Sequence, residues 1–233
     1  MRHADLRGRV TALLLGLAVL SAACVPPTTG DAAEPSGSDD PVPEHPEGVE
    51  SSAAEGWHGE WLDDPIERPE ITLEDTDGEP FAIDEETEGQ ITLLFFGFTH
   101  CPDVCPAHLA TISAALDRLP YSDTRHVDVV FVTVDPERDT AERLEEYVGG
   151  IDERITALRG DLDEVIEAMD AVDLPPPAFG EPDEDGAYDV SHAAAILAFS
   201  EDGPARLVYP FGIRSEGWVA DLPRMVRGEE IAE

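Results

Sequence analysis

The sequence contains no lysine, and its 14 basic residues, all of them arginine, are outnumbered by 52 acidic ones. The formal net charge at pH 7 is −38. A charge of this size repels polyanions over long distances, which excludes nucleic acids and anionic lipid surfaces as natural partners. The acidic residues are spread along the whole chain. This distribution favours a hydrated, salt-tolerant surface over a dedicated collector of cations.

The sequence also lacks an apolar run that spans a bilayer comfortably near its N-terminus, because the run at residues 10–20 is too short. Three arginines precede that run, which is typical of an export signal. The small residues before Cys24 resemble the lipobox of a bacterial lipoprotein, in which the cysteine is lipidated and becomes the mature N-terminus. Ser21 stands where leucine is usual. The alternatives are ordinary cleavage near Ala22 or Ala23, or an uncleaved anchor.

The chain is predicted to have three parts. Residues 1–23 form a lipoprotein-type signal peptide, residues 24–60 a disordered acidic tether, and residues 61–233 the folded domain. The tether is rich in Pro, Gly, Ser and acidic residues, a composition that cannot bury a core. We therefore expect an exported protein that is anchored to the outer face of the bacterial cytoplasmic membrane.

Cysteine is scarce, with three in the chain. If Cys24 carries lipid, only Cys101 and Cys105 remain. They lie between an apolar strand predicted over residues 91–98 and a helix predicted over residues 106–119, so Cys105 is at or near a helix start. The positive end of a helix lowers the pKa of a thiol. The spacing also allows the two sulfurs to share a metal or to form a disulfide.

A purely structural disulfide is a weaker interpretation of the Cys101–Cys105 pair, because closing so short a loop constrains little of the unfolded chain. The pair is therefore a thiol redox site or a soft-metal site.

Hydrophobic periodicity predicts an α/β fold with a central mixed sheet flanked by helices. The apolar segments predict further strands, helices and two hairpins: strands at 127–134 and 155–158, helices at 141–148, 162–169 and 215–226, a hairpin around 77–78 and a hairpin formed by 193–199 and 206–211. A βαβ unit followed by a hairpin and a helix is the thioredoxin pattern, and the first hairpin is an N-terminal addition to it.

His192 lies at the start of the strand predicted to face the cysteines, where thioredoxin-like oxidoreductases usually have a proline. A histidine there adds a third ligand opposite Cys101 and Cys105. Two thiolates and one imidazole suit copper first and zinc second, since a structural zinc prefers a fourth ligand.

Four further polar residues lie in or near these motifs. Asp135 follows the strand predicted to lie beside the cysteine strand. It is therefore a candidate to orient a metal ligand without binding the metal itself. The alternative is a turn-forming role before Pro136. We expect His108 to face solvent, His100 to point away from the cysteines, and Asp103 to cap the helix.

Three segments resemble the Sco/SenC family of copper-binding, thioredoxin-like proteins: FGFTHCPDVCP at residues 96–106, FVTVDPERDT at 131–140 and DVSH at 189–192. The resemblance covers residues 61–228. It implies Cu(I) or Cu(II) bound by Cys101, Cys105 and His192. It also implies a role in building CuA, the dinuclear copper centre of cytochrome c oxidase subunit II.

These observations together predict a copper metallochaperone that delivers its metal without chemical turnover and is therefore not an enzyme. Other copper chaperones or thioredoxin-like reductants are further expected partners. The alternatives are a thiol-disulfide oxidoreductase acting on the oxidase copper site, and a redox sensor. His192 separates them, because metal transfer requires it and disulfide exchange does not.

Overall fold

The structure, a computed structural model, describes residues 51–53, 56–184 and 186–229. The predicted signal peptide, Cys24 and most of the predicted tether lie outside the described residues. The strands are β1 Ser51–Ala53, β2 Glu60–Ile66, β3 Thr72–Asp75, β4 Pro80–Ala82, β5 Ile91–Gly97, β6 Val127–Thr133, β7 Ile155–Arg159, β8 Ala178–Phe179, β9 Val190–Ser191, β10 Ile196–Phe199 and β11 Ala205–Tyr209. The helices are α1 Ile83–Glu86, α2 Val104–Leu116, α3 Tyr121–Thr124, α4 Ala141–Gly149, α5 Leu162–Asp170 and α6 Ser215–Val226.

Within the described residues the main sheet has nine strands in the order β1-β2-β11-β10-β5-β6-β7-β3-β4. Strands β5, β6 and β7 are parallel to one another, and the other pairs are antiparallel. The register of β5 and β6 pairs Gly97 with Thr133, so both strands end at the same edge of the sheet. Strands β8 and β9 form a separate antiparallel pair.

Strand β5 is buried along its whole length, which explains why its sequence is an uninterrupted apolar run and does not alternate. The largest fully buried side chains include Trp218 and Tyr209, whose rings lie 4.1 Å apart between their centroids. Helix α6, which carries Trp218, packs against α2. This packing fixes α2, and with it Cys105, relative to the sheet.

The structure confirms the predicted mixed sheet, the flanking helices and the added N-terminal hairpin. Gly78 occupies the hairpin turn with φ +81°, a conformation that glycine adopts without strain. Thr140 caps α4, and Asp161 with Glu164 forms a capping box on α5, so both helices begin where the sequence predicts.

Several boundaries differ from the prediction, and helix α2 runs over Val104–Leu116 and not over 106–119. Strand β1 lies inside the predicted tether and pairs with β2, so the tether prediction does not hold for Ser51–Ala53. Strand β10 begins at Ile196 and not at residue 193. The backbone carbonyls of Ala193 and Ala194 instead accept hydrogen bonds from histidine side chains. Among the described residues, none of the helices combines the length and the apolarity needed to cross a membrane.

Candidate metal centre

Cys101, Cys105 and His192 come together at the edge of the sheet where β5 ends. Cys105 is the second residue of α2 and is fully buried, whereas Cys101 lies in the preceding loop and is half-buried. The backbone N–H of Cys105 donates a hydrogen bond to Cys101 Sγ at 3.3 Å. The Sγ atom of Cys105 lies 3.8 Å from Nε2 of His192. Both cysteines are free thiols in the structure.

The backbone fixes the tautomer of His192. Its Nδ1 lies 2.9 Å from the carbonyl oxygen of Ala193. A carbonyl oxygen can only accept a hydrogen bond, so Nδ1 is the donor to it and Nε2 is the nitrogen that faces Cys105 Sγ. The ring packs edge-on against Phe98, with 5.6 Å between the centroids. His192 therefore directs Nε2, the nitrogen that has the lone pair in a neutral ring, at the cysteine pair. The sequence placed His192 at the start of the strand that faces the cysteines. In the structure it follows β9 directly, and β10 begins four residues later, at Ile196.

The two thiols differ in acidity. The hydrogen bond from the Cys105 side chain lowers the pKa of Cys101 to about 4, and the polar contact with His192 and the backbone N–H of Cys105 act in the same direction. The pKa of Cys105 is raised, because it shares that hydrogen bond and is buried, so the lowered pKa expected from its place at the helix start was wrong. At neutral pH the pair therefore holds one thiolate, on Cys101, and one thiol, on Cys105.

Gly97 creates the space that the Cys105 sulfur occupies. A Cβ atom at position 97 would lie 3.0 Å from Cys105 Sγ and 2.6 Å from Cε2 of Phe131. Real Cβ atoms essentially never approach a neighbour below 3.0 Å. A side chain at this position would therefore clash with the Phe131 ring and crowd the Cys105 sulfur.

His108 is buried and does not face solvent, so that prediction was wrong. Its Nε2 lies 3.0 Å from the carbonyl oxygen of Ala194, and its ring packs against Phe95 and Phe211. Burial lowers the pKa of His108 to about 4, so it is neutral at pH 7. It ties α2 to the segment that follows His192. The sequence feature that could have placed His108 near the site is its position three residues after Cys105, on the same face of the helix.

Asp139 anchors the cysteine loop, a role that sequence reasoning missed. Its fully buried carboxylate accepts hydrogen bonds from the Thr99 backbone N–H at 2.8 Å and the Thr99 hydroxyl at 2.6 Å. The Thr133 hydroxyl donates to it at 2.6 Å. Because Thr99 precedes Cys101 by two residues, Asp139 sets the position of the turn that carries the first sulfur.

Asp135, the predicted orienting residue, supports the histidine side of the site. It is buried and accepts hydrogen bonds from the Tyr188 hydroxyl at 2.8 Å and from Nε of Arg138. Arg138 also donates to the Tyr188 carbonyl at 3.0 Å and stacks over its ring at 3.7 Å. Tyr188 lies in the segment that leads to His192. Asp135 thus acts on His192 through Tyr188.

The two remaining expectations concern residues beside Cys101. Asp103 holds the N-cap position of α2, but its side chain makes no capping hydrogen bond there, so the predicted cap was wrong. Nδ1 of His100 lies 3.4 Å from Oδ1 of Asp139 and 3.3 Å from the Thr99 hydroxyl.

The separation between the Cys105 sulfur and the His192 nitrogen fits a shared metal ion. A metal bonded to sulfur at ~2.3 Å and to imidazole nitrogen at ~2.0 Å, with an angle of about 120° between the bonds, holds the two donors roughly 3.7 Å apart. The distance between Cys105 Sγ and His192 Nε2 is 3.8 Å. These two donors can therefore bind one soft metal ion at their present separation, and the spacing of Cys101 and Cys105 in the chain makes them a candidate disulfide pair.

Comparison with known proteins agrees with this geometry. The sequence model of the SCO1/SenC family matches residues 63–227. A protein from Stutzerimonas stutzeri that is named for copper binding is 31% identical over 162 residues, which are 69% of this chain and 78% of the relative. A second group of relatives is matched over a smaller share of their length, such as the human SCO2 homologue, of which the match covers 43%.

Solved structures give the same result. The apo Sco1 protein of Thermus thermophilus has a TM-score of 0.65 and 32% identity, over 72% of this chain and 96% of that one. The copper-bound ScoI of Bradyrhizobium japonicum has a TM-score of 0.59 and 36% identity, over 69% of this chain and 99% of that one. BsSco, described as a member of the Sco family of cytochrome c oxidase assembly proteins, shares the fold with a TM-score of 0.52 and 18% identity, over 71% of this chain and 97% of that one. The fold is therefore thioredoxin-like, as predicted, and the chain belongs to the SCO1/SenC family.

Proposed function

We propose that the protein is a copper metallochaperone in which Cys101, Cys105 and His192 are the copper ligands. The observation that carries this proposal is the convergence of two sulfurs and the Nε2 atom of His192 at one edge of the sheet. Thiolate and imidazole donors favour a soft ion such as Cu(I) over hard cations. Membership of a family with copper-bound structures supports the same metal.

The supports around the ligands favour tight and rapid binding. His108 and Tyr188 hold the segments on either side of His192, and Asp139 holds the cysteine turn. Such fixed surroundings reduce the ordering that binding would otherwise require. Cys101 is a thiolate at neutral pH, so only the proton of Cys105 has to leave when both sulfurs bind the metal.

The unequal exposure of the ligands suggests the order in which copper is handed on. Cys105 is buried, whereas Cys101 and His192 are partly exposed. A partner's thiolates or imidazoles can therefore reach the metal from the side of Cys101 and His192. Cys105 would release copper last. Ligand exchange of this kind changes no oxidation state and needs no turnover, so we assign no enzymatic activity.

We infer that the receiving protein is cytochrome c oxidase, and specifically subunit II with its CuA centre. The support is the family's description as cytochrome c oxidase assembly proteins, together with the family motifs in the sequence. Other copper chaperones or thioredoxin-like reductants would load the site or keep it reduced. We also propose that the protein is exported, that Cys24 is lipidated, and that a tether places the domain above the outer face of the membrane.

The test is a Cu(I) titration of the reduced full chain and of its Cys101→Ser, Cys105→Ser and His192→Ala variants. We expect one copper per wild-type chain and a large loss of affinity in each variant. A variant that keeps wild-type affinity and stoichiometry would remove that residue from the ligand set.

A thiol-disulfide oxidoreductase is the second candidate, and the low pKa of the Cys101 thiol favours it. Such a protein would attack a partner's disulfide with Cys101 and resolve the mixed disulfide with Cys105. The His192→Ala variant separates the two functions. If exchange is the function, disulfide reduction continues at a comparable rate in this variant, whereas copper delivery fails.

A further inference from the structure

We propose that His100 is a transient copper ligand at the entrance of the site, which accepts the ion from a donor and passes it to Cys101. The inference rests on the proposed copper function, which it deepens. It assigns a metal-binding role to an imidazole that lies outside the set Cys101, Cys105 and His192.

Hydrogen bonding fixes the tautomer of His100. The Thr99 hydroxyl donates its own proton to Asp139 at 2.6 Å, so its oxygen can only accept a further bond. The Asp139 carboxylate likewise only accepts. Nδ1 of His100 lies within 3.4 Å of both groups and therefore carries the proton. Nε2 lies on the opposite side of the ring, and in the neutral ring it has the lone pair that a metal can bind.

This arrangement is the one that metal-binding histidines use. An imidazole ligand almost always donates its second N–H to a carboxylate or a carbonyl, which orients the ring and makes the ligating nitrogen more basic. Asp139 is fully buried and is itself held by Thr99 and Thr133, so it is a rigid support. The side chain of His100 is 46% exposed, so an arriving ion can reach it.

The position of His100 suits transfer. The Cys101 N–H donates to the Phe98 carbonyl at 3.3 Å, which places His100 and Cys101 side by side in one tight turn. The two side chains are attached to neighbouring Cα atoms, about 3.8 Å apart, so the proposed transfer is between adjacent residues of one turn. Cys105 is buried behind Cys101. Copper therefore reaches the pair from the exposed side of Cys101, the residue next to His100 in the chain.

The two-step transfer is balanced without a redox partner. In the first step a bond forms between Cu(I) and Nε2 of His100 as the bond to the donor breaks. In the second step a bond forms between Cu(I) and the Cys101 sulfur as the bond to His100 breaks. Copper remains Cu(I), no electron moves, and any thiol proton is released to water.

A hard-cation site in the same place is less consistent with the contacts. The ligand atoms of His100, Asp135 and Asp139 lie within 4.8 Å of one another. However, Asp135 already accepts from Arg138 and Tyr188, and the Arg138 guanidinium supplies the positive charge there. Asp139 is engaged by Thr99 and Thr133. The carboxylates thus hold the surrounding chain and the imidazole in place.

The test compares His100→Gln with His126→Gln in the reduced full chain. His126 is a matched control, because its Nδ1 also lies near a carboxylate, 3.5 Å from Glu201. It directly precedes the first residue of β6, whereas the site lies beyond the last residues of β5 and β6. Cu(I) uptake is followed by stopped flow as the coloured complex of Cu(I) with bicinchoninate loses its metal. Equilibrium affinity is measured separately.

We expect His100→Gln to slow uptake roughly tenfold, since a lost ligand raises the transfer barrier, while the Kd changes by less than about twofold. His126→Gln should match the wild type in both measurements. Wild-type uptake in His100→Gln would overturn the inference. A loss of affinity as large as that of His192→Ala would also overturn it, because His100 would then be a resident ligand. Equal slowing in both variants would overturn it as well. If the wild-type chain binds no copper, the proposed function itself fails.

Discussion

Gly97 offers the sharpest test of the packing beneath the metal centre. Replacing it with alanine would place a Cβ atom 2.6 Å from Phe131 Cε2 and 3.0 Å from Cys105 Sγ. Both neighbours are fully buried, so neither can move without disturbing the core. Forcing an extra carbon into a filled core costs about 1–3 kcal/mol. Gly97 is not among the glycines with positive φ, so this cost comes from packing and not from the backbone.

We therefore expect Gly97→Ala to lower the free energy of unfolding by about 1–3 kcal/mol, which is a fall in Tm of roughly 2–10 °C for a domain of this size. Copper affinity should fall in parallel, because the added methyl displaces the Cys105 sulfur. Gly149→Ala is the matched control: it lies at the end of α4, where an added Cβ meets nothing within 4 Å. In a helix that change should be neutral or stabilise by about 0.5–1 kcal/mol.

Urea unfolding of the reduced apo chain supplies the stability values, and the slope of the transition should be similar in all three proteins. Cu(I) titration supplies the affinities. If Gly97→Ala has the stability and the copper affinity of the wild type, the close approach of Gly97 to the sulfur does not constrain the site. If both glycine variants lose stability equally, the effect is not specific to the site.

Three further outcomes follow from the site and the surface. His108→Leu should lower the free energy of unfolding by about 1–3 kcal/mol, because it leaves the Ala194 carbonyl unpaired, and it should weaken copper binding. His108→Gln can donate to that carbonyl and should lower the free energy of unfolding less. Equal decreases in urea unfolding would contradict this role. Alkylation of Cys101 by iodoacetamide should stay fast as pH falls from neutrality and decline only near its pKa of about 4, and Cys105→Ala should move that decline to higher pH. A wild-type midpoint near pH 8.5, the value of a free thiol, would disprove the hydrogen-bonded thiolate. The Tm of the apo chain should rise with salt, since screening weakens repulsion in a chain of net charge −38, and a flat or falling Tm would contradict this.

The elements predicted from the sequence were those with strong local signals. The apolar run of β5 and the capping residues of α4 and α5 mark structure within a few neighbouring positions. Strand β2 was missed, because its sequence EWLDDPI contains acidic residues and a proline. It forms because Leu62 and Ile66 are buried while it pairs with β11. That partner is more than 100 positions away in the chain, so no local pattern predicts the pairing.

The site shows the same division. Cys101 and Cys105 are recognisable from their spacing before a helix, and His192 from its position in the thioredoxin pattern. The role of His108 depends on Ala194 and Phe211, which come from distant segments, so an amphipathic helix pattern alone placed it wrongly. Likewise, no pattern distinguishes Asp135 from Asp139. Only the fold shows that one holds the histidine side and the other the cysteine side.

That arrangement explains why the segment 131–140 belongs with the metal centre although it supplies none of the three proposed ligands. The cysteines and the histidine are about 90 positions apart in sequence, and their loops need a common support. Strand β6 runs parallel to β5 and ends at the same edge, so the turn after it lies beside both loops. Asp139 binds the Thr99 end of one loop, and Asp135 binds Tyr188 in the other. A single turn thereby sets the distance between the sulfurs and the imidazole. Copper affinity is accordingly a property of this turn as well as of the ligands themselves.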